Sequence, residues 1–131
     1  MSDDFAMITV KITGQEKLIS DIRKASADVQ DAARKVLNEQ AEIIRDDAKS
    51  RVAVESGTLQ KSIKASKTRK TLNASVSAGG GDAYYAPFVE FGTKNADAQP
   101  FLYPAARAHE EETEKKLVEA MTKTLKEAVE G

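Results

Sequence analysis

The amino-acid sequence predicts an α+β fold in which a small antiparallel sheet packs against a long N-terminal helix and a C-terminal helix. Two stretches alternate apolar with polar residues, as strands do, and two others space their apolar residues by three and four, as helices do. Their order is strand, long helix, β-hairpin, aromatic segment and helix. Because the sequence has no internal repeat and no long linker, residues 1–131 are expected to form one domain.

The first strand is predicted over residues 5–13, where Ile8, Val10 and Ile12 alternate with polar residues. From about Gln15 to Ser50 there is neither Gly nor Pro, and apolar residues such as Ala32, Val36 and Ile43 recur at helical spacing. A straight helix of about 33 residues would be about 50 Å long. A compact domain of this size is only about 36 Å across. The helix is therefore expected to kink, break or project, and part of its apolar stripe is expected to meet another chain.

The middle of the chain predicts a short helical turn followed by a β-hairpin. Gly57 breaks the long helical pattern, and Ser56 or Thr58 can cap a turn that brings Leu59 and Ile63 together. Residues 63–78 then alternate small apolar with polar side chains on both sides of a turn near residues 71–73. Three consecutive glycines, residues 79–81, end the hairpin.

The last helix is predicted to begin near Pro104, a residue type that suits the first turn, and to run to about Val129. Acidic residues crowd its first half, while Lys123 and Lys126 lie late, which suits the helix dipole. The apolar stripe of this helix consists of Leu117, Met121, Leu125 and Ala128.

The composition indicates a thin apolar core. Leu, Ile, Val and Phe together number 27, whereas Ala alone numbers 20, so little apolar area is available for burial. Either the helices pack very closely or a partner completes the core, and we favour the partner because small domains often depend on oligomerisation.

Charge and cysteine content exclude several classes of protein. The net charge of -1 argues against a general polyanion binder, and the absence of Cys excludes disulfides and thiolate metal sites. The first residues carry acids where a signal peptide would carry Lys or Arg, and no apolar run approaches the roughly 18 residues that a membrane span requires. We therefore expect no membrane partner.

The inventory of reactive side chains predicts neither an enzyme nor a cofactor or metal site. His109 is the single His, and nucleophilic triads and zinc sites normally require His or Cys. We expect His109 to be an ordinary, partly exposed residue of the last helix. The Gly-rich segment before Asp82 lacks the Lys and the following helix of a phosphate-binding loop.

A basic stretch in the hairpin is a candidate contact for DNA or for an acidic partner. Five positive charges occur within ten residues that contain no acid. An alternative interpretation is that they protect an edge strand from aggregation. No aromatic residue is interleaved with them, so base stacking is not expected. The residues are Lys61, Lys64, Lys67, Arg69 and Lys70.

Glu90 lies between two apolar residues, Val89 and Phe91, and admits two interpretations. It is either a surface carboxylate or a partly buried one that accepts backbone hydrogen bonds from the next loop, around Gly92 and Thr93. Gly92 would supply the conformational freedom that such a turn requires. No second catalytic group accompanies Glu90, so a catalytic role is not expected.

Six of the seven aromatic residues lie between residues 82 and 108. Large rigid side chains of this kind either fill a core or anchor a neighbouring chain, and we expect both roles. Phe91 and Phe101 are predicted to point inward, and Tyr84 or Phe88 to be more exposed. The candidate subunit interface consists of Tyr84, Phe88 and Tyr103.

The segment "YYAPFVEFGT", followed by a polar loop and "QPFLYPAARA", resembles the signature of a bacteriophage family. This is the tail-completion or head–tail joining family of long-tailed lambdoid-type phages, also called phage morphogenesis or tail-component proteins. "TGQEKLISDI" and "AKSRVAVESGTLQKSI" agree in order, although Ala53 and Val54 stand where a Pro is common. The resemblance covers almost the whole chain. It implies a structural signature of Tyr85, Ala86, Glu90, Phe91, Gly92, Thr93, Pro100, Phe101 and Pro104.

The resemblance implies a non-enzymatic virion protein of the phage neck or head-proximal tail end, assembled in the host bacterial cytoplasm. Its subunits would form a ring, with six copies favoured and twelve as the alternative, and would contact other neck or tail proteins. Non-specific contact with packaged DNA is a further expectation. The competing hypothesis from the residues themselves is a small nucleic-acid-binding module that uses the basic hairpin, residues 61–70.

Overall fold

The computed structural model describes residues 7–53 and 57–130. Three strands and several helices alternate along the chain, and the α+β prediction is confirmed. The elements are β1 (Met7–Lys11), α1 (Glu16–Arg23), α2 (Ala27–Arg51), α3 (Gly57–Ser62), β2 (Lys64–Ser66), β3 (Ser75–Gly79), a 3₁₀ turn (Gly81–Ala83), α4 (Ala86–Phe91), α5 (Leu102–Ala108) and α6 (Glu110–Glu130). Residues 5 and 6 of the predicted first strand and the candidate cap Ser56 lie outside the described residues.

The sheet is antiparallel in the order β1-β3-β2, so the second strand of the predicted hairpin lies at its centre. Val76 stands opposite Val10 on one side and Ala65 on the other. Ile8, Val76 and Ala78 are buried, whereas the serines that alternate with them in β3 are only partly covered. This alternation gives the sheet one apolar face, on which the helices pack.

The long helical segment breaks at Lys24–Ser26, which confirms one of the expected alternatives. Ser26 caps the second helix, because its Oγ accepts a hydrogen bond from the backbone N–H of Val29 at 3.3 Å. Val29 and Gln40 of the predicted apolar stripe are buried, whereas Ala32, Val36 and Ile43 are only partly buried because the adjacent positions Ala33, Leu37 and Ile44 face the core. The buried seam of α2 consists of Val29, Ala33, Leu37, Gln40, Ala41, Ile44 and Ala48.

The buried seam already has partners in its own chain, so the expected contact of part of the stripe with another chain stays a prediction for its partly exposed residues. α2 packs within its own chain against α5, α6 and the sheet. Ala33, Ala41 and Ala48 are completely buried, and their small side chains let the neighbouring elements approach α2 closely. The Ala-rich composition therefore produces close helix packing.

The predicted C-terminal helix is two helices, α5 and α6, joined at His109. Pro104 is the third residue of α5, where its missing N–H costs no helical hydrogen bond. α6 runs back along α2, since Thr113 Oγ1 lies 3.0 Å from Gln40 Oε1 and Leu117 is buried one turn later. None of the helices within the described ranges is long and apolar enough to span a bilayer.

Candidate assembly site

Glu90 fastens α4 to the beginning of α5. Its side chain is buried, with 3 % of its surface exposed. Oε1 accepts hydrogen bonds from the backbone N–H groups of Phe101 and Leu102, both at 2.9 Å, and Oε2 accepts one from Tyr103 at 3.0 Å. A carboxylate at this end of a helix satisfies free N–H groups and complements the helix dipole. Of the two interpretations of Glu90, the structure confirms that it is a buried carboxylate that accepts backbone hydrogen bonds.

The expected partners of Glu90 around Gly92 and Thr93 are wrong. Its carboxylate bonds to backbone groups more than ten residues further along the chain, because the intervening loop leaves α4 and returns to it. That return is made by the N–H of Gln99, which donates to the carbonyl of Val89 at 2.7 Å. The carboxylate therefore holds both ends of the connection together.

Gly92 forms the tight turn that ends α4. Its φ of +79° lies in the left-handed region, and its N–H donates to the carbonyl of Phe88 at 2.8 Å. A Cβ atom at this position would lie 2.8 Å from the backbone nitrogen of Ala98. The loop closes further through a hydrogen bond of 2.8 Å from Thr93 N–H to the carbonyl of Ala96. Glycine is therefore required here by conformation and by space.

The aromatic segment is not a simple loop, because α4 and the start of α5 occupy much of it. Ala86 and Glu90, one turn apart, are the buried residues of α4. Phe88 and Phe91 consequently lie on the opposite face of the helix. The prediction that Phe91 points inward is wrong, since 59 % of it is exposed, whereas Phe101 is completely buried as predicted.

Three exposed aromatic side chains lie in or just before α4: Phe88 and Phe91 belong to the helix, and Tyr84 lies in the turn that precedes it. Tyr84, Phe88 and Phe91 are 60 %, 55 % and 59 % exposed, so the predicted exposure of Tyr84 and Phe88 is confirmed. Tyr103 is only partly exposed, and its ring lies 5.6 Å from that of Phe91. We call Tyr84, Phe88 and Phe91 the aromatic stripe. It is mounted on the rigid frame that Glu90 and Gly92 maintain.

The other residues of the expected signature surround this frame. Ala86 is buried, Tyr85 and Pro104 are partly buried, and Thr93 and Pro100 are exposed at the two ends of the connecting loop. The structure thus brings the signature together around the carboxylate of Glu90, although only some of its members touch that group.

The basic side chains of the hairpin all lie at the surface. Lys61 belongs to α3 and Lys64 to the edge strand β2, while Lys67, Arg69 and Lys70 follow β2 in the loop. Lys67 forms an ion pair with Glu42 of α2, and its hydrogen bond and charge lower the pKa of that carboxyl group. Of the remaining cations, Lys61 and Lys64 line a groove together with residues 79–83, which lead into the aromatic stripe.

Two polar residues of α2, which the sequence did not single out, hold the basic loop in place. Arg34 Nε donates to the carbonyl of Thr71 at 3.0 Å and Arg34 Nη2 to that of Lys70 at 3.2 Å. One turn later, the amide of Asn38 exchanges two hydrogen bonds with the backbone of Thr68, at 2.8 and 2.9 Å. The loop therefore has a defined position relative to α2.

His109 joins α2 to the start of α6. Its Nε2 lies 2.8 Å from Asp47 Oδ2, and its Nδ1 lies 3.1 Å from Glu112 Oε2. The pKa of Asp47 is lowered by hydrogen bonding to Arg51 and then by that to His109, whereas the pKa of Glu112 is lowered chiefly by the His109 hydrogen bond. Asp47 is 62 positions away in sequence, so no local pattern identifies it. Over the described ranges, no three or more His, Asp or Glu side chains are arranged so that they could hold a metal ion.

Replacing Asp47 by Asn is expected to lower the free energy of unfolding by about 1 kcal/mol at neutral pH, because this half-buried carboxylate loses its charge. A lowered folded pKa contributes stability above the unfolded value, about 4, and loses it as the pH falls through the folded value. The difference between the two proteins, measured by urea unfolding, should therefore shrink below about pH 4. A constant difference from pH 7 to pH 3 would contradict this assignment.

The chain matches the model of a known protein family. The model of the family described as "Bacteriophage HK97-gp10, putative tail-component" matches residues 16–92, from the first residue of α1 to the Gly92 turn. No curated protein and no solved structure shows a significant match to the chain. The match includes Glu90 and the aromatic stripe, whereas β1, α5 and α6 lie outside it.

Proposed function

The chain belongs to the HK97-gp10 tail-component family of bacteriophages, and we propose that it is a non-enzymatic structural protein of the virion. In this proposal it lies in the phage neck or at the head-proximal end of the tail, where it completes the tail or joins it to the head. It assembles in the host cytoplasm as a ring, with six copies favoured and twelve as the alternative, and contacts other neck or tail proteins.

The observation that carries this proposal is the aromatic stripe on a rigid frame within the part of the chain that the family model matches. Exposed Tyr and Phe are enriched at protein interfaces, where they supply large contact area at low cost in conformational entropy. The Glu90 carboxylate and the Gly92 turn fix the position of the stripe before any partner arrives. A preorganised surface suits a subunit that must bind identical neighbours repeatedly.

A subunit interface of Tyr84, Phe88 and Tyr103 fits this surface in part. Tyr84 and Phe88 are more than half exposed, and Phe91 extends the same surface. The ring of Tyr103 lies next to that of Phe91, with their centres 5.6 Å apart. We therefore assign Phe91, rather than only the three expected residues, to the contact between subunits.

The chemistry of His109 agrees with a structural role. Both of its ring nitrogens already lie within hydrogen-bond distance of a carboxylate, so neither is free to act on a bound substrate. The charged Asp47 and Glu112 instead make this cluster a clamp between two helices.

Deleting the gene from its phage is expected to give DNA-filled heads whose tails are absent, unattached or ill-formed at the joint. The reason is that a missing ring interrupts assembly at one layer without affecting capsid formation. Electron microscopy of the particles measures this, and expression of the wild-type protein from a plasmid should restore normal particles. Normal infectious particles from the deleted phage would end the proposal.

The second candidate function is a nucleic-acid-binding module. Its supporting observation is the exposed surface of Lys61, Lys64, Arg69 and Lys70, among which no ion pair to a carboxylate is formed within the described residues. The same surface could contact packaged DNA or an acidic neighbouring protein in a tail. Salt dependence separates these functions, because phosphate contacts make DNA affinity fall steeply with salt.

Replacing Lys64, Lys67, Arg69 and Lys70 by Gln is expected to leave the melting temperature nearly unchanged, since exposed charges contribute little to stability. The matched control replaces Lys35, Lys115, Lys123 and Lys126, which are equally exposed elsewhere. DNA-binding titrations at several salt concentrations compare the two variants with wild type. Strong wild-type binding that only the hairpin variant loses would favour the nucleic-acid module over the ring subunit.

A further inference from the structure

Large apolar side chains that are about half exposed or more occur in two groups of three within the described ranges. One is the aromatic stripe. The other lies on α6, where Val118, Leu125 and Val129 are 49 %, 52 % and 87 % exposed. We call this second group the aliphatic stripe. Building on the ring in the proposed function, we propose that the aliphatic stripe of one copy packs on the aromatic stripe of the next copy.

The aliphatic stripe lies on a part of α6 that its own chain covers poorly. The two buried residues of α6 are Thr113 and Leu117, both in its first half. From Val118 to Glu130 no residue is buried, although Met121 is packed partly against the core. This half is about 20 Å long at the helical rise per residue. Most helical stability in proteins comes from packing of an apolar face, so a second surface would stabilise this half further.

The spacing of the aliphatic stripe places it on one face of α6. Its members follow one another at seven and four residues, which returns to the same side of a helix after two turns and then one. This face adjoins the one that carries Leu117 onto α2. α6 thus has an apolar surface wider than a single contact with α2 can cover.

A groove beside the aliphatic stripe can receive an aromatic side chain. It lies between α1 and α6, has an open volume of about 520 Å³, and is lined by Leu18 and Val118. The groove is also lined by the carboxylates of Glu111, Glu114 and Glu119 and by the amine of Lys115. A tyrosine hydroxyl is a hydrogen-bond donor, and carboxylates are acceptors. Tyr84, at the edge of the aromatic stripe, therefore matches this groove in both its ring and its hydroxyl.

The two stripes belong to different parts of the molecule, which favours a head-to-tail contact. α4 packs on β1 and β3, whereas α6 packs on α2. If each stripe bound its own counterpart, the assembly would need two different two-fold interfaces, one for each stripe. A contact between the two different stripes covers both in every subunit, and contacts of this kind close into rings when the rotation permits.

The available area is sufficient for a specific contact. At about 200 Å² per aromatic side chain, the three half-exposed rings present about 350 Å². The aliphatic stripe offers a similar apolar area, so the two together approach about 650 Å². Interface cores are about 65 % apolar, so the complete contact would bury about 1,000 Å², the lower bound for a specific interface.

Thiol crosslinking tests this pairing directly, because the chain contains no Cys. We expect Phe88→Cys and Thr122→Cys, mixed as two separately tagged proteins at high concentration, to form the mixed crosslink with a flexible bismaleimide. Thr122 lies between Val118 and Leu125 and is exposed, so its replacement leaves the aliphatic stripe intact. A chain that carries both substitutions should give a ladder of multimers that ends at the ring.

The matched control pairs Phe88→Cys with Lys35→Cys, an exposed position on α2, and should give no mixed product. Crosslinks only between identical variants, or no intermolecular crosslink, would overturn the pairing of the stripes. Because loss of Phe88 weakens the stripe itself, Pro87→Cys replaces it in a second series with the same expected outcome. The ring is measured separately, by the solution mass of the wild-type assembly. A wild-type ring without mixed crosslinks would overturn this pairing and leave the proposed function standing.

Discussion

Glu90→Ala is expected to lower the free energy of unfolding by about 3–4 kcal/mol, the largest effect of a single side-chain truncation in this segment. The substitution removes a buried carboxylate that accepts three backbone hydrogen bonds. Hydrogen bonds to charged groups contribute about 1.5–3 kcal/mol each, and the N–H groups left behind lie in a poorly hydrated site. Water that enters the vacated space recovers part of this loss, so the three contributions do not add fully.

Thermal unfolding measures the effect, which should lower the melting temperature by about 10 °C in a domain of this length. The matched control is Glu111→Ala, an exposed carboxylate on α6, which should change the melting temperature little. The melting temperature of Glu90→Gln should lie between those of Glu90→Ala and Glu111→Ala. The amide oxygen still accepts hydrogen bonds, whereas the amide nitrogen faces a backbone N–H group and cannot accept one from it. Equal melting temperatures for wild type and Glu90→Ala would show that the carboxylate does not support the frame.

Elements that depend on neighbouring residues could be predicted from the sequence. Period-two alternation located β1 and β3, and the change to a spacing of three and four located α2 and α6. The length argument anticipated a break in the long helix, but its position at Ser26 depends on capping that competes with continued helix. The buried seam runs through Leu37 rather than Val36, because spacings of three and of four both fit one helix face and only tertiary contacts choose between adjacent positions.

Features of the candidate site that join distant residues could be predicted only in part. The position of Glu90 between apolar residues suggested a buried acceptor, but its donors at residues 101–103 depend on the return of a loop. Hydrophobicity alone places Phe91 in the core, whereas the burial of Ala86 and Glu90 turns its side chain outward. No local sequence signal distinguishes these outcomes, because they follow from how α4 lies on the sheet.

The α2–α6 contact shows the same limit for buried polar groups. Gln40 lies on the predicted apolar stripe of the long helix, and its burial is specific because Thr113 faces it 73 positions later. Thr113 Oγ1 also lies 2.8 Å from the carbonyl of His109. A hydroxyl carries one hydrogen and can donate to only one of these acceptors, so the amide and the carbonyl compete for it. Such pairs fix the register of two helices, and only the folded structure reveals them.

Gly92→Ala is expected to lower the free energy of unfolding by about 2–4 kcal/mol, through two separate effects. The φ of +79° is costly for any residue that has a Cβ atom, and that atom would lie 2.8 Å from a backbone nitrogen. Backbone cannot move aside as a flexible side chain can, so the loop must shift away from α4. Gly92→Val should cost at least as much, because its branches meet the same backbone.

Gly57→Ala is the matched control for this substitution, because a Cβ atom at Gly57 would meet no heavy atom within 4 Å. The two alanine variants, compared by urea unfolding, should therefore differ by about 2 kcal/mol or more. The shifted loop should also weaken assembly, because the turn follows Phe91 directly and positions the end of the aromatic stripe. Assembly and stability should fall together for Gly92→Ala. If Gly92→Ala lost stability but still formed the complete ring, Phe91 would not belong to the contact between subunits. A contact made through Phe91 cannot tolerate displacement of that residue.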